Sequence, residues 1–265
     1  MADELSILLT NDDGIDATGF RALYDALSDI GDVTAVAPAR DQSAMGRALS
    51  FDVTVEEVDM GYAIDGTPAD CVVAGLGSLL PAADLVVAGC NEGANIGAYT
   101  LGRSGSVSAA VEAAFCDVPA MAVSLYIPVP EDRSLAGVDP DYDDFAVATS
   151  AATYLCEHAL GAGVFDSAEY LNVNAPPPEM ASGELEVTRP SHVHMLDARR
   201  DGSTIELHDP VWERMASGDI SDPEGTDRRA IVEGRVSVSP LTAPHSTEHH
   251  EALDELAETY PGHDA

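Results

Sequence analysis

The sequence predicts an α/β protein whose central sheet is mostly parallel and is covered by helices on both faces. Three observations indicate this class. Short apolar runs, typical of strands buried on both faces, alternate with longer amphipathic stretches up to residue 175. Polar, glycine-containing segments directly follow several of those runs. An apolar fraction of 45% over 265 residues is enough to bury a core.

The first half of the chain supplies four predicted strands and two predicted helices. Apolar residues at 20, 23, 24 and 27 have the i, i+3, i+4, i+7 spacing of an amphipathic helix. An alanine-rich stretch at 107–115 predicts the second helix. The strands are predicted at 5–9, 33–37, 84–88 and 121–125, where the apolar runs are nearly continuous. Because strands and helices alternate, successive strands are expected to run parallel.

The second half begins with a predicted surface loop of prolines and acidic residues between 128 and 144. A helix at 145–160 and a strand at 170–174 follow, and three prolines at 176–178 end the pattern. Short runs at 185–188, 205–207 and 236–238 predict hairpins that project from the core, and 246–259 predicts an acidic helix. We therefore expect a core at 1–175, a hairpin arm and returning strand at 176–240, and an acidic C-terminal helix and tail at 241–265.

The acidic excess is spread over the whole chain. Twelve basic against 47 acidic side chains give a net charge of −35, and every basic residue is arginine. We interpret the acids as a surface adapted to a salty cytoplasm, because about 1 M salt shortens the Debye length to about 3 Å. An acidic face for a basic partner is the alternative. Nucleic-acid binding, which needs clustered basic residues, is disfavoured.

Targeting and cysteine patterns indicate a soluble protein. The start MADELSILLT lacks the basic region of a signal peptide, and no apolar run reaches the roughly 18 residues of a membrane span. We therefore expect a cytoplasmic protein with no membrane partner. The cysteines form no CxxC pair, and Cys71, Cys90 and Cys116 are expected to be small core residues. His192 and His194 fall on one side of an extended segment and could bind a metal, although packing is the favoured role.

Ligands of parallel α/β sheets bind beyond the carboxyl ends of the strands, and the segment TNDDG, directly after the first strand, is the first of four candidates. In a loop, the adjacent Asp12 and Asp13 can turn toward one point and form a doubly anionic oxygen site for a divalent cation. The competing interpretation is an Asx-type turn that caps the next helix.

Three further segments place polar groups at strand ends. Ser43 lies in DQSAMG, and Asn91 and Asn95 lie in AGCNEGANIG, whose glycines allow the backbone to approach an anion closely. The segment GRSGSV opens the alanine-rich helix. Its free N–H groups, with Ser104 and Ser106, could bind phosphate, while a simple serine N-cap is the alternative.

Charge and ligand chemistry connect these segments. A chain of charge −35 without lysine needs a local positive charge to hold a phosphate monoester. A divalent cation beside a helix N-terminus would supply it. The candidate ligands Asp12, Asp13, Ser43 and Asn91 offer only oxygen atoms, which favours Mg²⁺ or Mn²⁺ over zinc.

Seven runs, in this order, resemble the signatures of the SurE family, the stationary-phase survival proteins that are 5′-nucleotidases. They are ILLTNDDGIDATGFRAL, VAPARDQSAMG, DGTPADCV, DLVVAGCNEGANIG, SGSVSAAVEAA with PAMAVS, LNVNAP and TDRRAIVEGRVSVSPL, and they extend from Ile7 to Leu241. Two runs depart from the family pattern. AGCN stands where SGIN is common, and SGS stands where SGT is common, but the asparagine and a hydroxyl are kept. The arm between Gly183 and Asp222 matches poorly, which leaves substrate preference and the mode of oligomerisation open.

The resemblance implies a phosphatase that hydrolyses nucleoside monophosphates with one Mg²⁺ or Mn²⁺ per subunit. It implies a Rossmann-like core, a projecting hairpin arm, and a C-terminal extension used to form a homodimer or homotetramer. Activity on 3′-nucleotides and on polyphosphate stays open. The metal ligands it implies are Asp12, Asp13, Ser43 and Asn91, and the phosphate-facing residues are Asn95, Ser104, Gly105 and Ser106.

Two mechanisms and one non-catalytic role are compatible with these residues. In the first mechanism, Asp12 or Asp13 takes a proton from a water that attacks phosphorus in line. In the second, one of the two is a nucleophile that forms an aspartyl-phosphate. The non-catalytic alternative is a regulatory module that binds a nucleotide or phosphate. The paired carboxylates argue against this non-catalytic role, because two carboxylates beside a bound anion are useful only if a cation lies between them and the anion.

Overall fold

The computed structural model, which describes residues 4–128, 139–243, 245 and 251–259, has the predicted α/β architecture. Its strands are β1 (Leu5–Thr10), β2 (Gly31–Pro38), β3 (Val55–Val58), β4 (Gly61–Ile64), β5 (Leu85–Glu92), β6 (Ala120–Leu125), β7 (Tyr170–Ala175), β8 (Leu185–Val187), β9 (Asp197–Asp201), β10 (Thr204–His208) and β11 (Val236–Leu241). Its helices are α1 (Thr18–Ser28), α2 (Pro68–Ala74), α3 (Ala98–Leu101), α4 (Gly105–Phe115), α5 (Ala146–His158), α6 (Val211–Ser217), α7 (Asp227–Val232) and α8 (Glu251–Glu258).

Strand β1 lies inside a nine-stranded sheet with the order β3-β4-β2-β1-β5-β6-β7-β11-β8. From β4 to β7 all neighbouring strands run parallel. Antiparallel pairing occurs toward the edges, between β3 and β4 and between β11 and β7. Strands β6 and β7 are buried along their whole length, which explains the continuous apolar run of β6 from 120 to 123.

Helices cover both faces of the sheet, as predicted. On one face Leu9 belongs to a cluster with Phe20 of α1 and with residues of α5. On the other face Leu8 belongs to a cluster with Val72 of α2 and Ala110 of α4. Because successive side chains of a strand point to opposite faces, the one apolar run of β1 contributes to both layers.

The expectation of hairpins throughout 183–239 is wrong in part. Only β9 and β10 form a separate antiparallel pair among the described residues. Strand β11 instead pairs with β7, and β8 pairs in parallel with β11, so both extend the main sheet. Pairing partners of short strands depend on distant parts of the chain, which local alternation does not reveal. The domain boundaries at 175 and 240 stay predictions.

Some elements differ from, or add to, those expected from the sequence. The acidic helix is confirmed over Glu251–Glu258, while 246–250 of its predicted range lie outside the described residues. The predicted surface loop holds a 3₁₀ turn at Tyr142–Phe145. The β3–β4 hairpin and helices α2, α6 and α7 had no counterpart in the prediction. Cys71 and Cys90 are buried as expected, but Cys116 is exposed and is not a core residue. Within the described part of the chain, no helix is long and apolar enough to cross a membrane.

The strand order places a topological switch point at β1. The chain runs from β1 to β2 on one side and later enters β5 on the other side. The segments that leave the carboxyl ends of β1 and β5 therefore diverge from neighbouring positions, and the crevice between them is where ligands of such sheets bind.

Candidate functional site

A cavity of about 240 Å³ lies at the carboxyl edge of the sheet, next to this switch point. All four segments singled out from the sequence contribute to its wall. The lining residues are Asp12, Asp13, Ser43, Ala44, Asn91, Glu92, Asn95, Thr100, Arg103 and Ser104. The chemical roles predicted for these residues stay predictions, but the fold brings their side chains to one place.

Asp12 is buried against the start of helix α4. Its side chain is in contact with Ser106, whose hydroxyl donates a 2.5 Å hydrogen bond to Asp12 Oδ1, and the N–H groups of Gly105 and Ser106 also point to the carboxylate. A Cβ on Gly105 would lie 2.6 Å from Asp12 Oδ2, so only glycine allows this approach. Burial nevertheless raises the pKa of Asp12 above its ordinary value, more than these donors lower it.

Asp13 lies beside Asp12 and accepts fewer hydrogen bonds than Asp12 does. The Glu92 N–H donates to Asp13 Oδ2 at 3.1 Å. Burial, followed by repulsion from the Asp12 carboxylate, raises the pKa of Asp13 to about 7. Among the described residues, no arginine or histidine forms an ion pair with either carboxylate. The pair is therefore an anionic site without compensating charge from the protein.

Ser43 and Asn91 place neutral oxygen atoms beside the pair. The hydroxyl and the N–H of Ser43 both donate to Asp41 Oδ1, at 2.5 and 2.8 Å, so the Ser43 oxygen keeps its lone pairs. The side-chain nitrogen of Asn91 donates to the Gly93 carbonyl, which leaves Asn91 Oδ1 available. Carboxylate, hydroxyl and amide oxygens together form a donor set that suits Mg²⁺ or Mn²⁺.

The start of α4 carries a serine cap as well as cavity-lining groups. Ser104 Oγ accepts a hydrogen bond from the Val107 N–H at 3.1 Å, which is the N-cap that the sequence left as an alternative. Ser104 also lines the cavity. Ser106 is fully buried, and its hydroxyl is directed to Asp12. The helix N-terminus thus faces a carboxylate as well as the cavity.

Arg103 is the one basic side chain among the described residues that line the cavity. Its guanidinium donates to the Tyr99 carbonyl and to Tyr99 Oη, each at 2.8 Å, and lies 3.9 Å from the Tyr99 ring centroid. The His194 ring stacks on Tyr99 with centroids 5.9 Å apart. His192 and His194 lie outside any strand, and no group of three or more His, Cys, Asp or Glu suited to a metal occurs within the described ranges. Both histidines are exposed, and His194 contacts the Tyr99 ring.

Sequence reasoning missed two sets of residues at this site. The Glu92 carboxylate faces the N–H groups of Thr18 and Gly19 at the start of α1, a helix without a side-chain cap of its own. The second set holds Asn95: Asn172 and Asn174 bond its backbone, and Ser124 bonds its side-chain amide. Two asparagines at alternate positions of an otherwise apolar run, LNVNAP, were the available signal for the second set.

The chain is similar to proteins of one known family. The sequence matches the family described as Survival protein SurE over residues 7–197. A relative from Haloarcula marismortui named 5′-nucleotidase SurE is 65% identical over 258 residues, which cover 97% of this chain and 96% of that protein. A protein of the same name from Pelobacter propionicus is 40% identical over 248 residues, covering 89% of this chain and 93% of that protein.

A solved structure has the same fold. The crystal structure of Sure protein from Aquifex aeolicus matches with a TM-score of 0.73 at 28% identity, and the match covers 96% of this chain and 97% of that chain. The family match, the close relatives and the shared fold agree with one another. The chain belongs to the SurE family.

Proposed function

We propose that the chain is a 5′-nucleotidase, a phosphomonoesterase that hydrolyses nucleoside monophosphates to nucleoside and phosphate with one Mg²⁺ or Mn²⁺ per subunit. One observation carries the proposal: a buried Asp12 and a half-buried Asp13 form a carboxylate pair next to a helix N-terminus and a cavity, with no ion-pair partner in the described part of the chain. The names of the relatives, 5′-nucleotidase SurE at 65% and 63% identity, support the same activity.

The residues present fit a divalent cation. Two carboxylates with raised pKa values, and with no arginine partner among the residues that the structure describes, are costly to keep ionised unless a cation offsets their charge. Asp12, Asp13, Ser43 and Asn91 would hold it. When bound, the cation would neutralise negative charge that develops on the phosphate and lower the pKa of a nearby water.

The side chains differ in what they can do in the reaction. Asp12 already accepts hydrogen bonds from the Ser106 hydroxyl and two N–H groups, so it is oriented and has little capacity left. Asp13 accepts one backbone N–H and lines the cavity, so it is the better group to take the proton of an attacking water. Asn95 and Ser104 line the same cavity and would orient the phosphate oxygens.

An aspartyl-phosphate route is the second mechanism, with Asp13 as the nucleophile. The two routes differ in the configuration at phosphorus. A single in-line displacement by water inverts it, whereas two successive displacements through an aspartyl-phosphate retain it. Hydrolysis of a nucleotide whose phosphate is made chiral with oxygen isotopes separates them, because retention indicates the covalent route and inversion indicates direct attack by water.

The test of the proposed function is phosphate release from AMP with Mn²⁺ or Mg²⁺ in molar KCl, with and without excess EDTA. We expect release only with the cation, and loss of at least about 100-fold in Asp13→Asn. Asp84→Asn is the matched control, because Asp84 binds the Ser6 N–H at the opposite edge of the sheet. A folded wild-type protein that binds AMP without hydrolysing it would instead support the regulatory module.

We also propose a salt-adapted, cytoplasmic homo-oligomer, either a dimer or a tetramer, without nucleic-acid or membrane partners. The charge of −35 and the absence of lysine support the first point, as do the 65% and 63% identical relatives from halophilic archaea. Hydrolysis of 3′-nucleotides and polyphosphate is a further proposal for the same site. Sedimentation in molar KCl and assays on these substrates test the two points separately.

A further inference from the structure

We propose that Asn174 and Asn172 of β7, together with Ser124 of β6, are positioning residues that fix Asn95 in the cavity for contact with the substrate phosphate. The inference rests on the proposed function, because it assigns a use to Asn95 in phosphate binding. It adds a role for three buried side chains that do not line the cavity.

Side chains of strand β7 bind both the N–H and the carbonyl of Asn95. The Asn95 N–H donates to Asn174 Oδ1 at 2.8 Å, and Asn174 Nδ2 returns a hydrogen bond to the Asn95 carbonyl at 3.2 Å. Asn172 Nδ2 donates to the same carbonyl at 2.8 Å. Both backbone hydrogen-bonding groups of one loop residue are therefore fixed by two side-chain amides, as a neighbouring strand would fix them.

The side chain of Asn95 is held separately. Its Nδ2 donates to Ser124 Oγ at 3.0 Å, which fixes the rotation of the amide. Ser124 and Asn174 are paired residues of the adjacent strands β6 and β7. The Asn95 Nδ2 has a second N–H, which is the kind of donor that a phosphate oxygen needs, and Asn95 lines the cavity.

These three side chains are costly to bury. Ser124, Asn172 and Asn174 are fully buried polar residues of β6 and β7, and their hydrogen bonds to Asn95 offset the cost of burying them. Among the described residues, Asn172 Oδ1 has no hydrogen-bond partner, which is a cost of the arrangement. The gain is a loop residue with a single, preformed orientation beside Asp12 and Asp13, as efficient binding of a reacting group requires.

The far end of the same loop is also fixed. The Gly97 N–H donates to Asp227 Oδ2 at 2.6 Å, and Asp227 Oδ1 accepts the Ser191 N–H at 2.9 Å. The Arg228 guanidinium packs against Gly97 where any side chain would collide with it. With Asn95 held by β7 and Gly97 held by α7, the loop has little freedom to move the Asn95 amide away from the cavity.

The first experiment compares Asn174→Ala and Asn174→Asp with Val173→Ala in the full-length protein. Val173 is buried on the same strand but belongs to the core on the α1 side, so its truncation loosens β7 without touching Asn95. The readouts are the Kd of inorganic phosphate by calorimetry with Mn²⁺ and the KM and kcat for AMP.

We expect Asn174→Ala to weaken phosphate binding about 10- to 100-fold. Asn174→Asp, which keeps the acceptor for the Asn95 N–H, should retain more affinity than the alanine variant, and Val173→Ala should bind as wild type.

The second experiment is a double-mutant cycle with Asn95→Ala. If Asn174 acts through the Asn95 side chain, Asn174→Ala should add almost no loss of phosphate affinity once that side chain is absent. Losses that multiply in the double variant would overturn the inference. Equal losses in Asn174→Ala and Val173→Ala would overturn it as well, because they would show a general effect on the strand.

The same measurements separate this inference from the proposed function. Wild-type protein that binds phosphate but does not hydrolyse AMP would refute the nucleotidase, and the Kd ratios would still decide the role of Asn174. Wild-type protein that hydrolyses AMP, with unchanged Kd and KM in Asn174→Ala, would refute only the positioning role. Protein that neither binds nor hydrolyses would refute both.

Discussion

Neutralising Asp13 should stabilise the cation-free protein at alkaline pH. The folded-state pKa of Asp13 is about 7, against an ordinary value of 3.8. Between pH 3.8 and about pH 7, Asp13 keeps its proton in the folded state but has released it in the unfolded chain. The stability contributed by this proton is fully present below pH 3.8 and is lost as the pH rises through 7. Asp13→Asn removes the titrating group and should remove this part of the pH dependence.

The size of the effect follows from the same two pKa values. At about 1.4 kcal/mol per pKa unit, the elevation of Asp13 corresponds to a ceiling of about 4 kcal/mol at pH 8. Because the carboxylate is partly open to the cavity, solvent reduces this figure, and we expect Asp13→Asn to raise the free energy of unfolding by about 2 kcal/mol. At pH 4 the two proteins should be nearly equally stable.

Urea unfolding in molar KCl with EDTA, at pH 4.5 and pH 8, measures this difference. Asp84→Asn corrects for the general effect of removing one acid from a chain of charge −35. Saturating Mn²⁺ should reverse the order at pH 8, since a cation at 100 times its Kd stabilises the wild type by about 2.7 kcal/mol. The reasoning fails if wild type and Asp13→Asn lose stability in parallel between the two pH values.

Three further predictions concern packing and salt. Gly105→Ala should destabilise the protein by about 1–3 kcal/mol and abolish AMP hydrolysis, because the new Cβ would meet the Asp12 carboxylate. Gly102→Ala has open space around its Cβ and should be tolerated. Activity assays and thermal melting check both variants. Arg228→Leu should cost about 3–5 kcal/mol in urea unfolding, because it leaves Asp222, whose carboxylate is 3.6 Å from Arg228 Nη1, buried without its cation. Melting temperature should rise steeply between about 0.1 and 1 M KCl as repulsion among surface acids is screened, and a flat response would contradict the salt-adaptation proposal.

The central sheet could be predicted because its strands have a local signature. Ile7, Leu8 and Leu9 are consecutive apolar residues, and that pattern requires burial on both faces wherever the strand lies. The edge strand β3 has no such signature, since its residues 55–57 are exposed. Helix α2 was missed although Thr67 and Asp70 form a capping box at its start, a signal that the sequence does contain.

The site could be predicted only as a set of segments. Asp12 and Asp13 follow β1, Asn91 lies at the carboxyl end of β5 and Ser104 caps α4, so the parallel topology brings them to one edge. Their contacts depend on tertiary distances that no local pattern encodes. The approach of Asp12 to the backbone of α4 is one example, and the fixing of Asn95 by side chains 77 and 79 residues later in the chain is another.

The fastening of the Asn95 loop also determines when the site can form during synthesis. Asn95 and Gly97 leave the ribosome long before Asn174 and Asp227, the latter 130 residues beyond Gly97. Until β7 and α7 have been made and docked, the loop lacks the groups that fix both of its ends, although both carboxylates are already present. The nascent chain therefore carries an anionic crevice before it carries a finished phosphate site. Activity therefore depends on contacts between residues that are far apart in the chain, and such contacts form slowly during folding.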